Sequence, residues 1–323
     1  MRAVRFEATG GPEVLHVADV PTPEPGPGEI LIRQQAIGVN FIDTYHRTGL
    51  YPVPLPSGLG QEGAGVVEAV GEGVTRFKPG DRAAYALASI GAYAEAKVVR
   101  AGRAVHVPAD VSLETAAAVL LKGMTAEFLL HRAYPLQPGQ AVLVHAAAGG
   151  VGQILVQWAK SLGARVIATA GSQEKAKRAQ ELGADHVILY RDQDVAAAVR
   201  KATDGAGVAV AYDAVGRDTF EGTLGSLARR GLFVSFGNAS GPPPPIEARR
   251  LSQAGSLFFT RPMLGDYIAT TAELDASASE VFAAVGSGTV KVEIGQIFPL
   301  AEPGRAHEAL EGRRTVGATL LIP

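Results

Sequence analysis

Gln140-Ala-Val-Leu-Val-His-Ala-Ala-Ala-Gly-Gly-Val-Gly152 is the stretch whose reading decides the fold. Ala141 to Val144 are apolar or β-branched and read as a strand buried on both faces. Small residues and Gly149, Gly150 and Gly152 follow, and then a helical pattern begins. In it Val151, Ile154, Leu155, Trp158 and Leu162 form one apolar stripe that can pack on a sheet. A glycine turn between strand and helix lets backbone approach a diphosphate closely. The free N–H groups and dipole of the helix start favour its charge. The spacing runs Ala146-x-x-Gly149-x-x-Gly152, a variant of the dinucleotide fingerprint. The competing reading of these glycines is a tight turn that admits no side chain.

Downstream the pattern repeats. Strands are predicted at 141–145, 165–169, 186–190, 208–213, 232–236 and 256–260, separated by helices at 150–162, 173–182, 192–203, 218–229 and 246–254. Such alternation predicts an α/β fold with a six-stranded, doubly wound parallel sheet. Residues 1–100 read differently, as short strands joined by turns rich in glycine and proline, the pattern of a small β-barrel. Residues 112–134 read as helical, with Ser112 as N-cap and Gly123 as a break between two helices. After 265, helices near 277–287 and 303–312 and strands at 291–297 and 319–322 are expected to pack back onto the first domain. The predicted division is therefore 1–122, 123–262 and 263–323, with the sheet domain as an insert.

Composition narrows the classes of function. The 323 residues are 47% hydrophobic and 19% charged, with a net charge of -2 and no cysteine. Disulfides, thiolate chemistry and Cys-ligated zinc or iron–sulfur sites are excluded. No basic block favours nucleic acid, and no apolar run approaches membrane-spanning length, so neither partner is expected and the cytoplasm is the expected location.

The second strand selects the cofactor. In NAD-preferring sites an acid at its tip binds the ribose 2′-OH. Here the tip reads Gly171-Ser172-Gln173-Glu174-Lys175, offering a hydroxyl and an ammonium that suit a 2′-phosphate. NADPH is expected in preference to NADH, with Glu174 as the feature against it. Ser172 also reads as a helix N-cap, and Lys175 also reads as a solvated helix residue. Tyr190 and Arg191 lie on the same rim, at the end of the third strand.

Several short stretches carry a family resemblance: Gly38-Val-Asn-Phe-Ile-Asp43, Gly60-Gln-Glu-Gly-Ala-Gly65, Lys122-Gly-Met-Thr125, His145 to Gly152, Val234-Ser-Phe-Gly-Asn238 and Thr260-Arg-Pro262. Over its whole length the chain resembles the zeta-crystallin-like quinone oxidoreductases, a branch of the medium-chain dehydrogenase/reductase superfamily. The resemblance implies a GroES-like β-barrel catalytic domain with an inserted Rossmann domain, and NADPH in the cleft between them. It also implies a homodimer formed by edge pairing of the last Rossmann strand. By the same resemblance, Asn40 lies near the nicotinamide ribose or the substrate, Thr125 near the nicotinamide, and Gly150 and Val151 against the diphosphate. Phe236, Gly237 and Asn238 line the cofactor, Thr260, Arg261 and Pro262 follow the sixth strand near the nicotinamide, and Arg313, beside Arg314, is a phosphate-side arginine. Phe236 also reads as plain core, and Thr125 as a cap at a helix break.

Zinc-dependent members of the superfamily place a cysteine near Asn40 and a His-Glu pair where Gln61-Glu62 stands. Neutral amides are poor zinc ligands. Asp43 and His46, with Glu62, are the remaining metal candidates, and their other reading is as ordinary polar residues. No metal is expected. Without a Lewis acid, alcohol oxidation loses its main catalyst, whereas a quinone accepts hydride once it is positioned over the nicotinamide. Phe41, Tyr45 and Tyr51 are candidate walls for a flat acceptor, and Tyr45 or Tyr51 could donate a hydrogen bond to a quinone oxygen. The leading expectation is zinc-independent, NADPH-dependent quinone reduction. The alternatives are an alkene or enoyl reductase and a non-catalytic NADPH- or RNA-binding protein.

Overall fold

A computed structural model describes residues 1–323. The chain divides into two compact units, one of Met1–Met124, Ile268–Ser287 and Val292–Pro323, the other of Thr125–Tyr267 with Gly288–Lys291.

In the first unit the strands are β1 (Arg2–Arg5), β2 (His16–Asp19), β3 (Glu29–Val39), β4 (Glu62–Val70), β5 (Arg82–Ala86), β6 (Ala96–Arg100) and β7 (Ala104–His106). The second unit contributes β8 (Ala141–Val144), β9 (Arg165–Ala170), β10 (His186–Leu189), β11 (Val208–Asp213), β12 (Leu227–Ser235) and β13 (Phe258–Thr260). The chain then returns to the first unit with β14 (Ile294–Pro299) and β15 (Ala318–Ile322).

The sheet of the first unit runs β14-β15-β3-β4-β5-β7, with β6 also on β3. All its pairings are antiparallel except β14 with β15. Strand β3 is the axis of this sheet. Its first half, Glu29–Arg33, pairs with β6, and its last residues, Ile37–Val39, pair with β15. Along β3, Ile30, Ile32, Ile37 and Val39 enter a core shared with Val4, Phe6, Leu59, Val67 and Tyr85. Asn40 ends the strand and caps α1 (Phe41–Thr48), which Gly49 closes in the left-handed conformation that suits glycine. The sequence reading assigned no helix here.

Next comes α2 (Leu113–Phe128), opened by Ser112 as expected, with the Thr115 N–H donating to its hydroxyl at 3.0 Å. Gly123 does not break this helix. A Cβ there would lie 2.6 Å from Val281 Cγ1, so the glycine lets a neighbouring helix approach closely.

The second unit holds one sheet in the order β10-β9-β8-β11-β12-β13, parallel throughout, as the alternation predicts. The intervening helices are α3 (Gly150–Ser161), α4 (Gln173–Glu181), α5 (Val195–Ala202), α6 (Phe220–Ser226) and α7 (Ala248–Gln253). Helix α6 ends earlier than the expected 229 because β12 already begins at Leu227. The core of this unit gathers Leu143, Ile167, Ile188, Ala211, Phe220 and Phe233. The unit reaches past residue 262 to include α8 (Leu264–Tyr267), where the Tyr267 ring stacks on Phe128 at 4.3 Å and its carbonyl accepts from Arg132 at 2.6 Å.

Back in the first unit, α9 (Thr271–Gly286) begins earlier than the expected 277, through a capping box between Thr270 and Glu273. Helix α10 (Pro303–Glu311) follows. No helix is long and apolar enough to cross a membrane.

Candidate active site

In the first unit the strand–helix junction at Asn40 is the centre of a buried polar cluster. Asn40 Nδ2 donates to Glu62 Oε2 at 2.8 Å, and its backbone N–H donates to Asp43 Oδ2 at 2.8 Å. Glu62 is fully buried and also accepts from Lys122 Nζ at 3.0 Å and from the Leu121 N–H at 2.6 Å.

From Asp43 a second chain of contacts leads away. Tyr93 Oη lies 2.9 Å from Asp43 Oδ2 and 3.1 Å from His307 Nε2, and Arg47 Nη1 lies 3.3 Å from His307 Nδ1. A guanidinium can only donate, so His307 Nδ1 accepts and the ring proton sits on Nε2. That proton points to the Tyr93 oxygen, which leaves the phenol to donate to Asp43. Burial, with the Arg47 charge beside it, lowers His307 to about 3. Burial raises Asp43 to about 7, opposed by the Asn40 and Tyr93 hydrogen bonds, and Asp43 Oδ1 is buried without a partner. Arg47, itself buried, forms a two-pronged ion pair with Glu311 at 2.9 and 2.6 Å.

Tyr45 and Tyr51 meet edge to face at 5.2 Å, with Phe41 6.4 Å from Tyr45, so the three predicted aromatic walls form one group. His46 closes it. Its Nε2 accepts from Gln61 Nε2 at 3.1 Å, so its Nδ1 donates to the Tyr51 carbonyl at 3.3 Å. Burial lowers the His46 pKa. Asp43, His46 and Glu62 are thus each engaged elsewhere, and no group of three His, Asp or Glu side chains is placed to hold a metal ion.

In the second unit most predicted cofactor residues follow the carboxyl ends of parallel strands: Gly149, Gly150 and Val151 after β8, Gly171, Ser172 and Lys175 after β9, Tyr190 after β10, Phe236, Gly237 and Asn238 after β12, and Thr260, Arg261 and Pro262 at and after β13. The strand order reverses at this end between β8 and β11, where ligands of such sheets bind. Thr125 stands apart, buried on α2, and Arg313 is exposed in the first unit between α10 and β15.

The turn after β8 is tight. Ala146 holds a left-handed φ of 50°, and a Cβ on Gly152 would lie 2.2 Å from the Ala146 oxygen. Gly149 caps α3 without a side chain, so the leading N–H groups of Gly150 and Val151 receive no side-chain cap and are open to an anion. Ser172 caps α4 by accepting the Lys175 N–H at 3.3 Å, which meets its N-cap reading. A Cβ on Gly171 would lie 2.9 Å from Tyr190 Oη, so the tips of β9 and β10 are in contact there. Phe236 is half-buried, not core. Arg261 Nη1 donates to the Ser235 carbonyl at 3.0 Å, and Asn238, with its amide oxygen toward Arg261, accepts from Nη2 at 3.3 Å. Close backbone approach, open N–H donors and a cationic tip together fit a phosphorylated dinucleotide.

Two family profiles match the chain, the Alcohol dehydrogenase GroES-like domain over residues 26–133 and Zinc-binding dehydrogenase over 150–280. A quinone oxidoreductase from Pseudomonas aeruginosa is 52% identical over 100% of this chain and 99% of its own. The chain belongs to the quinone oxidoreductase family. Quinone oxidoreductase 1 of Escherichia coli is 48% identical, covering 99% of each chain. The crystal structure of Escherichia coli quinone oxidoreductase complexed with NADPH superposes with a TM-score of 0.98 at 48% identity, over 100% of both chains. As a quinone oxidoreductase family member the chain is an oxidoreductase enzyme with the two-domain fold that the resemblance implied.

Against that family background, two buried clusters escaped the sequence reading. One is Glu62 with Lys122. The other lies beneath the glycine turn, where Asp213 accepts from Thr219 and Thr223 and from the N–H groups of Val215 and Gly216, and Thr223 contacts His145. The only signal for the first was a charged residue in each of two otherwise apolar segments, Glu62 in GLGQEGAG and Lys122 in VLLKGMT.

Proposed function

We propose that this protein reduces quinones with NADPH, without zinc. The observation that carries the reading is the pairing of two strand tips in the second unit. One is a turn with open N–H groups at Gly150 and Val151, and the other is a neighbouring tip bearing Ser172 and Lys175. The turn receives a diphosphate, and the hydroxyl and ammonium receive a 2′-phosphate. NADPH supplies the hydride. Asn40, at the end of β3, orients the reacting end of the cofactor. Tyr45 and Tyr51 form an aromatic wall for a planar acceptor, and either phenol donates a hydrogen bond to a quinone oxygen as charge develops there. Thr125, Gly171, Tyr190, Phe236, Gly237, Asn238, Thr260, Arg261, Pro262 and Arg313 complete the cofactor contacts. One hydride and one proton convert the quinone to its hydroquinone.

The zinc-free reading is supported by donor chemistry. Asn40 and Gln61 offer only neutral amide oxygens, poor zinc ligands beside thiolate or imidazole, and the His46 Nε2 lone pair is already taken by the Gln61 N–H. The reading extends to a cytoplasmic homodimer. Strand β13 is the last of its sheet, and Phe258 within it and Met263 after it are 58% and 63% exposed, an edge suited to pairing with a second copy.

NADPH oxidation with 1,4-benzoquinone, run beside NADH and with EDTA-treated protein, tests the proposal. Turnover that prefers NADPH and survives chelation is expected. NADPH binding without quinone reduction would overturn the substrate. Light scattering of the purified protein tests the dimer.

A further inference from the structure

We propose that the buried Glu62–Lys122 ion pair is a positioning device for Asn40. By accepting the Asn40 Nδ2–H, Glu62 commits the amide oxygen to the opposite side, as an acceptor for a hydroxyl or N–H of the bound cofactor. The inference deepens the reading of Asn40 given above and rests on it.

A carboxylate can only accept hydrogen bonds, so the Asn40 amide cannot turn over without setting its oxygen against Glu62. The 2.8 Å contact therefore fixes which face of the amide is donor and which is acceptor. A quinone carbonyl needs a donor, and both Asn40 N–H groups are engaged, by Glu62 at 2.8 Å and by the Gly38 carbonyl at 3.4 Å. What remains is the amide oxygen, which faces the Asp43 N–H at the start of α1 and keeps a second lone pair for a partner that carries hydrogen, as a ribose hydroxyl or a carboxamide does.

Glu62 is itself held rigidly. Lys122 Nζ at 3.0 Å and the Leu121 N–H at 2.6 Å approach its two oxygens from α2, while the carboxylate occupies the space that a side chain on Gly38 would fill. A Cβ at Gly38 would stand 2.2 Å from Glu62 Oε2 and 2.5 Å from the Ala117 oxygen. Gly38 and Glu62 face each other in the register of β3 and β4. The strand that delivers Asn40 thus also makes the room for the group that orients it.

An ion pair so deeply buried is a poor source of stability, because two desolvated charges regain little more than an apolar pair of similar volume would give. Its value lies in direction. Lys122 holds Glu62 in place by their ion pair, and Glu62 keeps Asn40 in one orientation.

Two variants and two readouts test this. Glu62→Gln keeps the shape but has one oxygen, which cannot serve Leu121 on one side and Asn40 on the other. Glu62→Leu combined with Lys122→Met removes both charges and leaves a packed apolar site. The first readout is the side-chain amide signal of Asn40 in the 1H–15N spectrum of the cofactor-free protein. It is expected to exchange slowly with solvent in the parent protein and fast in both variants. The second is the NADPH dissociation constant from cofactor fluorescence, expected to rise about tenfold in both, with the quinone KM held within twofold. Should Glu62→Gln fail to fold, the double variant decides. Unchanged amide exchange, unchanged NADPH affinity, or a loss confined to the quinone KM would overturn the inference. Failure of the parent protein to bind NADPH would instead overturn the proposed function, since the amide signal reads the Glu62 contact without any cofactor.

Discussion

Thr223 Oγ1 lies 2.9 Å from His145 Nε2 and 2.9 Å from Asp213 Oδ2, joining the residue that leads into the glycine turn to the carboxylate at the end of β11. The hydroxyl has one proton, and the carboxylate is the stronger acceptor. His145 Nε2 therefore donates to Thr223, and its Nδ1 accepts from Thr169 at 3.0 Å. Burial lowers the His145 pKa against the pull of Asp213, consistent with a neutral ring. The turn rests on a fully connected polar floor that links β8, β9, β11 and α6.

Thr223→Val keeps the shape of that floor but strips Asp213 of a donor and His145 of an acceptor. A buried group left unsatisfied costs about 1–3 kcal/mol, and the loss is expected as a lower urea midpoint at unchanged slope. An unchanged midpoint would show that the floor carries no net stability.

Asp43 and His307 pull stability in opposite directions with pH. The raised Asp43 binds its proton more tightly in the folded state, so its contribution is full below 3.8 and is lost as pH rises to about 7. The lowered His307 contributes fully above 6.5 and loses its effect as pH falls to about 3. Between pH 4 and 6.5 the two slopes, each of about 1.4 kcal/mol per pH unit, nearly cancel. Relative to the parent, Asp43→Asn should make stability rise with pH across this window, and His307→Gln should make it fall. Thermal unfolding at a series of pH values measures both, and parallel profiles for all three proteins would refute the pairing.

Gly149 and Gly152 differ in what a methyl group would meet. The Ala146 oxygen lies 3.1 Å from a Cβ at Gly149 but only 2.2 Å from one at Gly152. Gly152→Ala is therefore expected to lower Tm by more than Gly149→Ala, on the scale of the ~1–3 kcal/mol that overpacking costs. Differential scanning fluorimetry ranks the pair.

Lys175→Glu places a carboxylate one helical turn from Ser172, where the 2′-phosphate is proposed to sit. Repulsion should lower kcat/KM for NADPH at least tenfold while sparing NADH, a change of about 1.4 kcal/mol in relative binding. Equal losses with both cofactors would move the 2′-phosphate away from Lys175.

Much of this architecture was legible from periodicity. The parallel sheet announced itself because each strand is a short apolar run and each helix carries a stripe, and those local patterns survive folding unchanged. Boundaries were less legible. Thr270 and Glu273 hold the spacing of a capping box, yet α9 was expected only from 277, and α1 went unseen because eight residues are too few to show a period. Gly123 misled for a different reason: its lack of a side chain serves Val281, more than 150 residues away, and sequence cannot show such a neighbour. The same holds for the site. Phe41, Tyr45 and Tyr51 lie close in sequence, and their rings form one group in the fold. Glu62, Lys122 and His307 reach the Asn40 cluster through contacts spanning 22, 60 and 214 residues, which only the fold creates.

The split edge of β3 has a consequence for synthesis. Strand β6 covers the half of β3 at Glu29–Arg33, but Ile37–Val39, which lead into Asn40, wait for β15. A ribosome that has just made Thr260 has already supplied every strand of the parallel sheet. At about 5–20 residues per second it needs roughly 3–12 s more to deliver the partner of Val39. For that interval the nascent chain carries every strand of the nucleotide-binding sheet and a bare backbone edge at the proposed reaction centre. The strand that seals it is translated only after the whole parallel sheet.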